Sequence, residues 1–115
     1  MSRVRVDLNG KVAFVTGGGS GIGRGFAHQM AQAGAAVVVT DLNGESARAV
    51  AGEIAALGGL SLGLPVDVTQ PAQLDAAVAE TINRFDHLDF VFANAGVLGP
   101  AEFMDITMIA HLYES

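Results

Sequence analysis

The sequence predicts an α/β fold in which helices cover both faces of a parallel β-sheet. Four short apolar segments alternate with three amphipathic helical segments, and short loops join them. The first two apolar segments are uninterrupted, as in strands that are buried on both faces. Right-handed crossover connections between parallel strands then place the helices on both sides of the sheet.

The four apolar segments are the predicted strands. The third is the weakest of them because Gly63 and Pro65 interrupt it. In chain order, the strands are predicted at residues 12–16, at residues 35–40, within residues 60–68, and at residues 88–93.

Three segments have the apolar spacing of a helix with one buried face. The first helix is predicted to begin near residue 21 or 22 and to stop at Gly34. The second runs from about residue 44 or 45 to residue 57, where two glycines end it. The third covers residues 71–85, with Thr69 as its N-cap and Pro71 in its first turn. The side chains predicted to be buried are Ile22, Phe26 and Met30 in the first helix, Ala47, Val50, Ala51, Ile54 and Leu57 in the second, and Leu74, Val78, Ile82 and Phe85 in the third.

The segment TGGGSGIG, residues 16–23, joins the first strand to the first helix. Unpaired N–H groups at a helix start attract anions, and glycines let a pyrophosphate approach the backbone. The pattern is T-G-x-x-x-G-x-G, because Phe26 stands where G-x-G-x-x-G would need its last glycine. No G-K-[ST] follows, which excludes a P-loop ATPase. A glycine turn that binds nothing is the alternative.

Asp41 directly follows the second predicted strand, eighteen positions after Gly23. An acidic residue at about this distance hydrogen-bonds the ribose hydroxyls of NAD. It would also repel the 2′-phosphate of NADP, and no Arg or Lys adjoins it. The pattern therefore favours NAD over NADP. The alternative is that Asp41 is the N-cap of the second helix.

The composition argues against several classes of function. The 115 residues carry a formal net charge of −6, and the pI is about 4.7. The few Lys and Arg are scattered, so neither nucleic acid nor an anionic membrane is an expected partner. No cysteine is present, which excludes disulfides and thiolate chemistry. With no secretory signal or long apolar stretch, we expect a cytoplasmic protein.

Four motifs resemble the N-terminal half of the short-chain dehydrogenase/reductase family. They are TGGGSGIG at residues 16–23, VVVTD ending at Asp41, DV at residues 67–68 and NAG at residues 94–96, and the resemblance covers about residues 7–105. It implies a Rossmann-type doubly wound parallel sheet in the strand order 3-2-1-4, incomplete relative to the order 3-2-1-4-5-6. It also implies an NAD-dependent oxidoreductase that interconverts an alcohol and a carbonyl compound.

The resemblance implies a cofactor-binding role for residues after each of the four strands. Asp41, followed by Leu42, would select NAD. Ala93 stands where family members often carry a first Asn, which is a departure from the pattern. The remaining implied contacts are Gly17, Ser20, Gly21, Ile22 and Gly23 with the pyrophosphate and ribose, Asp67 and Val68 with the adenine, and Asn94, Ala95 and Gly96 near the nicotinamide-side ribose.

The residues that carry hydride transfer in this family have no counterpart here. That chemistry uses a Ser, a Tyr-x-x-x-Lys pair and a supporting Asn beyond the NAG motif, and the Tyr moves the proton. The only lysine is Lys11 and the only tyrosine is Tyr113, so the pair cannot form. We therefore assign no catalytic residue and expect the chain to bind NAD without turnover; a substrate would bind only in a full-length form. The alternative is a non-catalytic nucleotide-binding module that pairs with a full-length relative.

The remaining expectations concern domain organisation. Residues 1–115 form a single, partial nucleotide-binding domain with an atypical tail at 107–115, which suggests a truncated or frameshifted product. The fourth strand would be an exposed apolar edge near Leu88, Phe90 and Phe92, so we expect marginal stability and self-association through that edge. The histidines His28, His87 and His111 share no ligand spacing, so no metal site is predicted.

Overall fold

A computed structural model describes residues 7–94, and these residues form one four-stranded parallel sheet with three helices. The strand order is the predicted β3-β2-β1-β4, and every neighbouring pair is parallel. The strands are β1 (Val12–Thr16), β2 (Ala36–Asp41), β3 (Ser61–Pro65) and β4 (Phe90–Ala93). The helices are α1 (Gly21–Gln32), α2 (Gly44–Ala56) and α3 (Pro71–Phe85).

The two central strands, β1 and β2, are buried on both faces, as their uninterrupted apolar segments predict. Successive residues of β1 and β2 point to opposite sides. On one side Phe14 and Val38 pack against α3, in a cluster that includes Leu74 and Val78. On the other side Val15, Val37 and Val39 pack against α1 and α2. The doubly wound arrangement predicted from the sequence is therefore confirmed.

The predicted buried face of α1 is wrong in one respect. Ile22 is 75% exposed, and the buried positions of α1 are Gly23 and Ala27. Phe26 and Met30 are only partly buried beside the core. Because Gly23 and Ala27 are small, α1 can lie close to the sheet. The face that it buries therefore carries these small residues and not its largest side chains. In α2 the predicted Leu57 is likewise 75% exposed, because it follows the last residue of the helix.

One predicted helix end needs correction. The N-cap of α3 is Gln70 and not Thr69, because the Thr69 hydroxyl donates to the Asp67 carboxylate at 2.6 Å. Helix α1 ends at Gln32, two residues before Gly34. Gly34 still provides the turn back to the sheet, with φ of +106°.

Strand β4 pairs only with β1 among the described residues. Phe90 is 39% exposed, whereas Leu88 is buried, so the edge exposes less apolar surface than predicted. The Phe92 ring stacks on the Phe26 ring with the centroids 3.9 Å apart. Self-association through this edge stays a prediction.

Gly52 offers a simple test of the helix assignment. It lies exposed in the middle of α2, where an added Cβ would meet no atom within 4 Å. Alanine loses less backbone entropy than glycine in a helix, so we expect Gly52→Ala to raise the free energy of unfolding by about 0.5–1 kcal/mol in urea titrations. The control is Gly63→Ala in β3, where the added Cβ would lie 2.7 Å from the Arg48 Cα. This substitution should destabilise the chain. A Gly52→Ala chain that unfolds at lower urea would contradict the assignment.

Glu53 links α2 to α1 through two basic side chains. Its Oε1 lies 2.7 Å from the His28 Nε2 and 3.0 Å from the Arg24 Nε. The His28 hydrogen bond, and then the Arg24 hydrogen bond, lower the pKa of the Glu53 carboxyl below its ordinary 4.5. A lowered folded-state pKa means that the contact adds stability above the ordinary pKa and loses it as the pH falls through the lowered pKa.

We expect Glu53→Gln to unfold at lower urea than the native chain at pH 7 and to lose less stability when the pH is lowered to about 3. Urea titrations at the two pH values measure this difference. Glu80→Gln is the matched control, because Glu80 is exposed on α3 and forms no ion pair among the described residues. If the native and Glu53→Gln chains lose equal stability on acidification, the interhelical contact does not contribute to stability.

None of the helices in residues 7–94 has the length and apolar character needed to cross a membrane. Two of the three histidines lie in separate local contacts. His28 contacts Glu53, and His87 contacts both the Gly10 carbonyl oxygen and the Asp89 carboxylate. His111 lies outside the described residues.

Candidate functional site

A cavity of about 420 Å³ opens where the four parallel strands end at their carboxyl edge. The chain contributes residues just after β1, at the end of β2, and just after β3 and β4. In doubly wound sheets, ligands bind at this edge, at the point where the strand order reverses. The lining residues are Gly17, Ser20, Gly21, Ile22, Asp41, Leu42, Val66, Asp67, Val68 and Asn94.

The structure thus brings together nine of the residues that the sequence singled out for cofactor binding. Gly23 is the exception among the described ones, because it lies buried beneath the loop and does not line the cavity. Ala95 and Gly96 lie outside the described residues, as do Tyr113 and the 107–115 tail. Val66 lines the cavity, although the sequence analysis did not single it out.

The glycine-rich loop fits closely over the ends of β1 and β2. Gly17 and Gly21 have φ of +61° and +57°, a region that favours glycine. The Gly18 N–H donates to the Thr40 carbonyl oxygen at 2.9 Å. A Cβ at Gly21 would meet no atom within 4 Å, so the backbone there is open to a ligand.

Gly23 has a different role, which is to let α1 approach the loop. A Cβ at this position would collide with the carbonyl oxygen of Gly17 and would lie 2.8 Å from the Asn94 Nδ2. The Asn94 side chain in turn donates to the same Gly17 oxygen at 3.4 Å, and the Asn94 N–H donates to the Thr16 hydroxyl at 2.9 Å. The start of α1, the loop and the end of β4 therefore form one packed unit.

Asp41 lies at the end of β2 and holds two backbone amides. Its Oδ2 accepts from the Gly19 N–H at 2.9 Å, and its Oδ1 accepts from the Asn43 N–H at 3.0 Å. An ionised carboxylate has about four acceptor positions, so it can still accept from ligand hydroxyls. The alternative role as a helix cap is wrong, because Asn43 is the N-cap of α2 and accepts from the Ser46 N–H.

Asp67 and Val68 follow β3 and line the cavity. The Asp67 Oδ1 accepts from the Thr69 hydroxyl at 2.6 Å and from the Thr69 N–H at 3.0 Å. These hydrogen bonds lower the pKa of the Asp67 carboxyl, the hydroxyl bond being the larger cause. Val66 is buried, and its N–H donates to the Asp41 carbonyl oxygen, which continues the β2–β3 pairing into the site.

The cavity is lined both by a helix start that favours phosphate and by carboxylates that disfavour it. Ser20 is the N-cap of α1, its side chain forms no capping hydrogen bond, and the first turn carries no acidic residue. The N–H groups of that turn are thus available to an anion. The carboxylates of Asp41 and Asp67 also line the cavity, and none of its lining residues within the described part of the chain is Lys or Arg.

Residues 11–113 match the family described as short chain dehydrogenase. The cyclohexanol dehydrogenase of an Acinetobacter species is 45% identical over 92 residues, which cover 80% of this chain and 37% of that enzyme. The chain thus spans less than two fifths of the length of this curated relative.

Solved structures agree with the fold. A hydroxysteroid dehydrogenase from Escherichia coli superposes with a TM-score of 0.87 at 30% identity, covering 95% of this chain and 54% of that one. A 7 alpha-hydroxysteroid dehydrogenase complexed with NADH and 7-oxo glycochenodeoxycholic acid superposes with a TM-score of 0.82 at 28% identity, covering 95% and 50%.

Proposed function

This chain belongs to the short-chain dehydrogenase family, and we propose that it binds NAD, in preference to NADP, in the cavity at the carboxyl edge of its sheet. The family binds nicotinamide dinucleotides. The observation that carries the proposal is the convergence of the open glycine-rich loop and the Asp41 carboxylate on one cavity. The loop presents N–H groups to a pyrophosphate, and the Asp41 carboxylate presents acceptors to ribose hydroxyls.

The residues present fit the pyrophosphate and the adenosine half of a dinucleotide. Gly21 leaves backbone space for phosphate oxygens, and the uncapped Ser20 position leaves amides for them to bind. Asp41 would accept from the adenosine ribose hydroxyls, and Asp67 and Val68 would border the adenine. A 2′-phosphate would meet the Asp41 carboxylate with no cation among the lining residues to compensate, which supports NAD over NADP.

The family activity that we propose for a full-length form is the interconversion of an alcohol and a carbonyl compound. Bound NAD would supply the hydride acceptor or donor. The residues of this chain would bind and orient the cofactor, and Asn94 would hold the loop against β4. We expect no turnover from the 115 residues by themselves, because they contain no Tyr-x-x-x-Lys pair to move the proton.

Ile22 gives a sharp test of where the phosphates bind. It is exposed, lines the cavity and lies in the first turn of α1. Ile22→Asp would place a carboxylate beside the amides that a pyrophosphate needs, while favouring the helix through its dipole. Ile22→Asn has nearly the same shape without the charge. In calorimetric titrations we expect the Asp variant to bind NAD at least about tenfold more weakly than the Asn variant.

Thermal unfolding of both variants controls for folding, and the Asp variant should be at least as stable as the Asn variant. Equal NAD affinities for the two variants would contradict phosphate binding at this helix start.

A further inference from the structure

Gly19 is held between the end of β2 and the first turn of α2. Its N–H donates to the Asp41 Oδ2 at 2.9 Å. A Cβ on Gly19 would lie 2.7 Å from the Ser46 Cβ and 2.9 Å from the same Asp41 oxygen. The middle of the glycine-rich loop therefore has no room to shift toward α2. Among the described residues, the side chain that accepts the Gly19 N–H is that of Asp41.

The Asp41 carboxylate, at the end of β2, connects this strand to the glycine-rich loop and to the residue before α2. One oxygen holds the loop at Gly19, and the other holds the Asn43 N–H just before α2. Hydrogen bonds from backbone amides to an ionised carboxylate are about twice as strong as neutral ones. Removing the carboxylate would leave the Gly19 N–H without its acceptor. Gly18 would stay bound to the Thr40 carbonyl oxygen, but the loop from Gly19 to the start of α1 would be freed.

We propose that Asp41 is a positioning residue for the glycine-rich loop, so that phosphate binding depends on a carboxylate that the phosphate does not touch. This inference rests on the proposed function, because it concerns the same cavity. Cofactor selection and loop order are then coupled through Gly19. Replacing Asp41 to admit NADP would relieve the repulsion of the 2′-phosphate and at the same time loosen the loop that holds the pyrophosphate.

Inorganic pyrophosphate separates the two roles, because it has no ribose for Asp41 to bind. If Asp41 served only the ribose, Asp41→Ala would bind pyrophosphate as well as the native chain or more tightly, since a nearby negative charge is lost. If Asp41 positions the loop, Asp41→Ala binds pyrophosphate more weakly, against the electrostatic trend. The affinity of Asp41→Ala for pyrophosphate, compared with that of the native chain, therefore distinguishes the two roles.

Amide hydrogen exchange of the ligand-free chain, followed by NMR, measures the contact itself. We expect the Gly19 amide to exchange at least about tenfold faster in Asp41→Ala than in the native chain, with the Gly18 amide much less affected. Asp41→Asn keeps one acceptor oxygen and should fall between the two. Glu45→Gln is the charge-matched control, because Glu45 is exposed in the first turn of α2 and has no bond to Gly19.

Gly19→Ala is the second variant, because it keeps the Asp41 carboxylate but displaces the loop. It should weaken pyrophosphate binding as Asp41→Ala does. Equal Gly19 exchange in the native and Asp41→Ala chains, or pyrophosphate binding by Asp41→Ala as tight as or tighter than that of the native chain, would overturn the inference. A native chain that binds neither pyrophosphate nor NAD would overturn the proposed function instead, and the exchange rates would still decide the role of Asp41.

Discussion

Gly23→Ala is expected to abolish measurable NAD binding and to lower the free energy of unfolding. The added Cβ would collide with the Gly17 carbonyl oxygen, a backbone atom that cannot rotate away, and would also crowd the Asn94 amide. Either α1 moves away from the sheet or the loop deforms, and both displace the amides that face the cavity. Overpacking of this kind costs about 1–3 kcal/mol, occasionally more. Calorimetry with NAD and urea unfolding measure the two effects.

Gly25→Ala is the matched control for this variant. Gly25 lies two residues further along the same helix, is exposed, and has no atom within 4 Å of a built Cβ. It should bind NAD like the native chain and be slightly more stable, because alanine favours helix. Native-like NAD affinity in Gly23→Ala would show that close packing of α1 on the loop is not required.

Of the substitutions considered, Phe14→Ala is expected to lower the free energy of unfolding most. Phe14 is fully buried in the central strand β1, opposite Val38 of β2 and Val91 of β4. Its ring packs in the cluster between the sheet and α3. Truncating a buried Phe to Ala costs about 3–5 kcal/mol, which is a large part of the roughly 5–15 kcal/mol that stabilises an ordinary domain. Urea unfolding followed by circular dichroism measures the loss.

Phe90→Ala is the comparison variant, because Phe90 is 39% exposed on the edge strand β4. We expect it to lose much less stability than Phe14→Ala. If the two variants lost the same free energy of unfolding, the core would not be centred on β1 as the structure places it.

The order and type of the elements could be predicted because several local signals agree. Uninterrupted valines mark β2 as a buried strand, and Pro71 fixes the start of α3. The glycine-rich turn marks the passage from β1 to α1. With the strand order given by the family resemblance, these signals place Gly17, Asp41, Asp67 and Asn94 at one edge of the sheet.

Contacts between distant segments could not be predicted, because they depend on packing distances. Hydrophobic spacing selected Ile22 as a buried residue, whereas α1 packs through the smaller Gly23 and Ala27. At short range, Thr69 has the residue type of an N-cap, but its hydroxyl instead binds Asp67, two positions earlier. The Gly19–Asp41 hydrogen bond joins residues 22 positions apart, and no local pattern signals it.

The most direct test of the central claim is a calorimetric comparison of NAD and NADP binding to the native chain, with circular dichroism to establish that the chain is folded. NAD should bind with a stoichiometry of one, and NADP at least about tenfold more weakly, because its 2′-phosphate would face Asp41 without a compensating cation. A folded chain that binds NADP as tightly as NAD, or that binds neither, would contradict the proposal that this cavity is an NAD site.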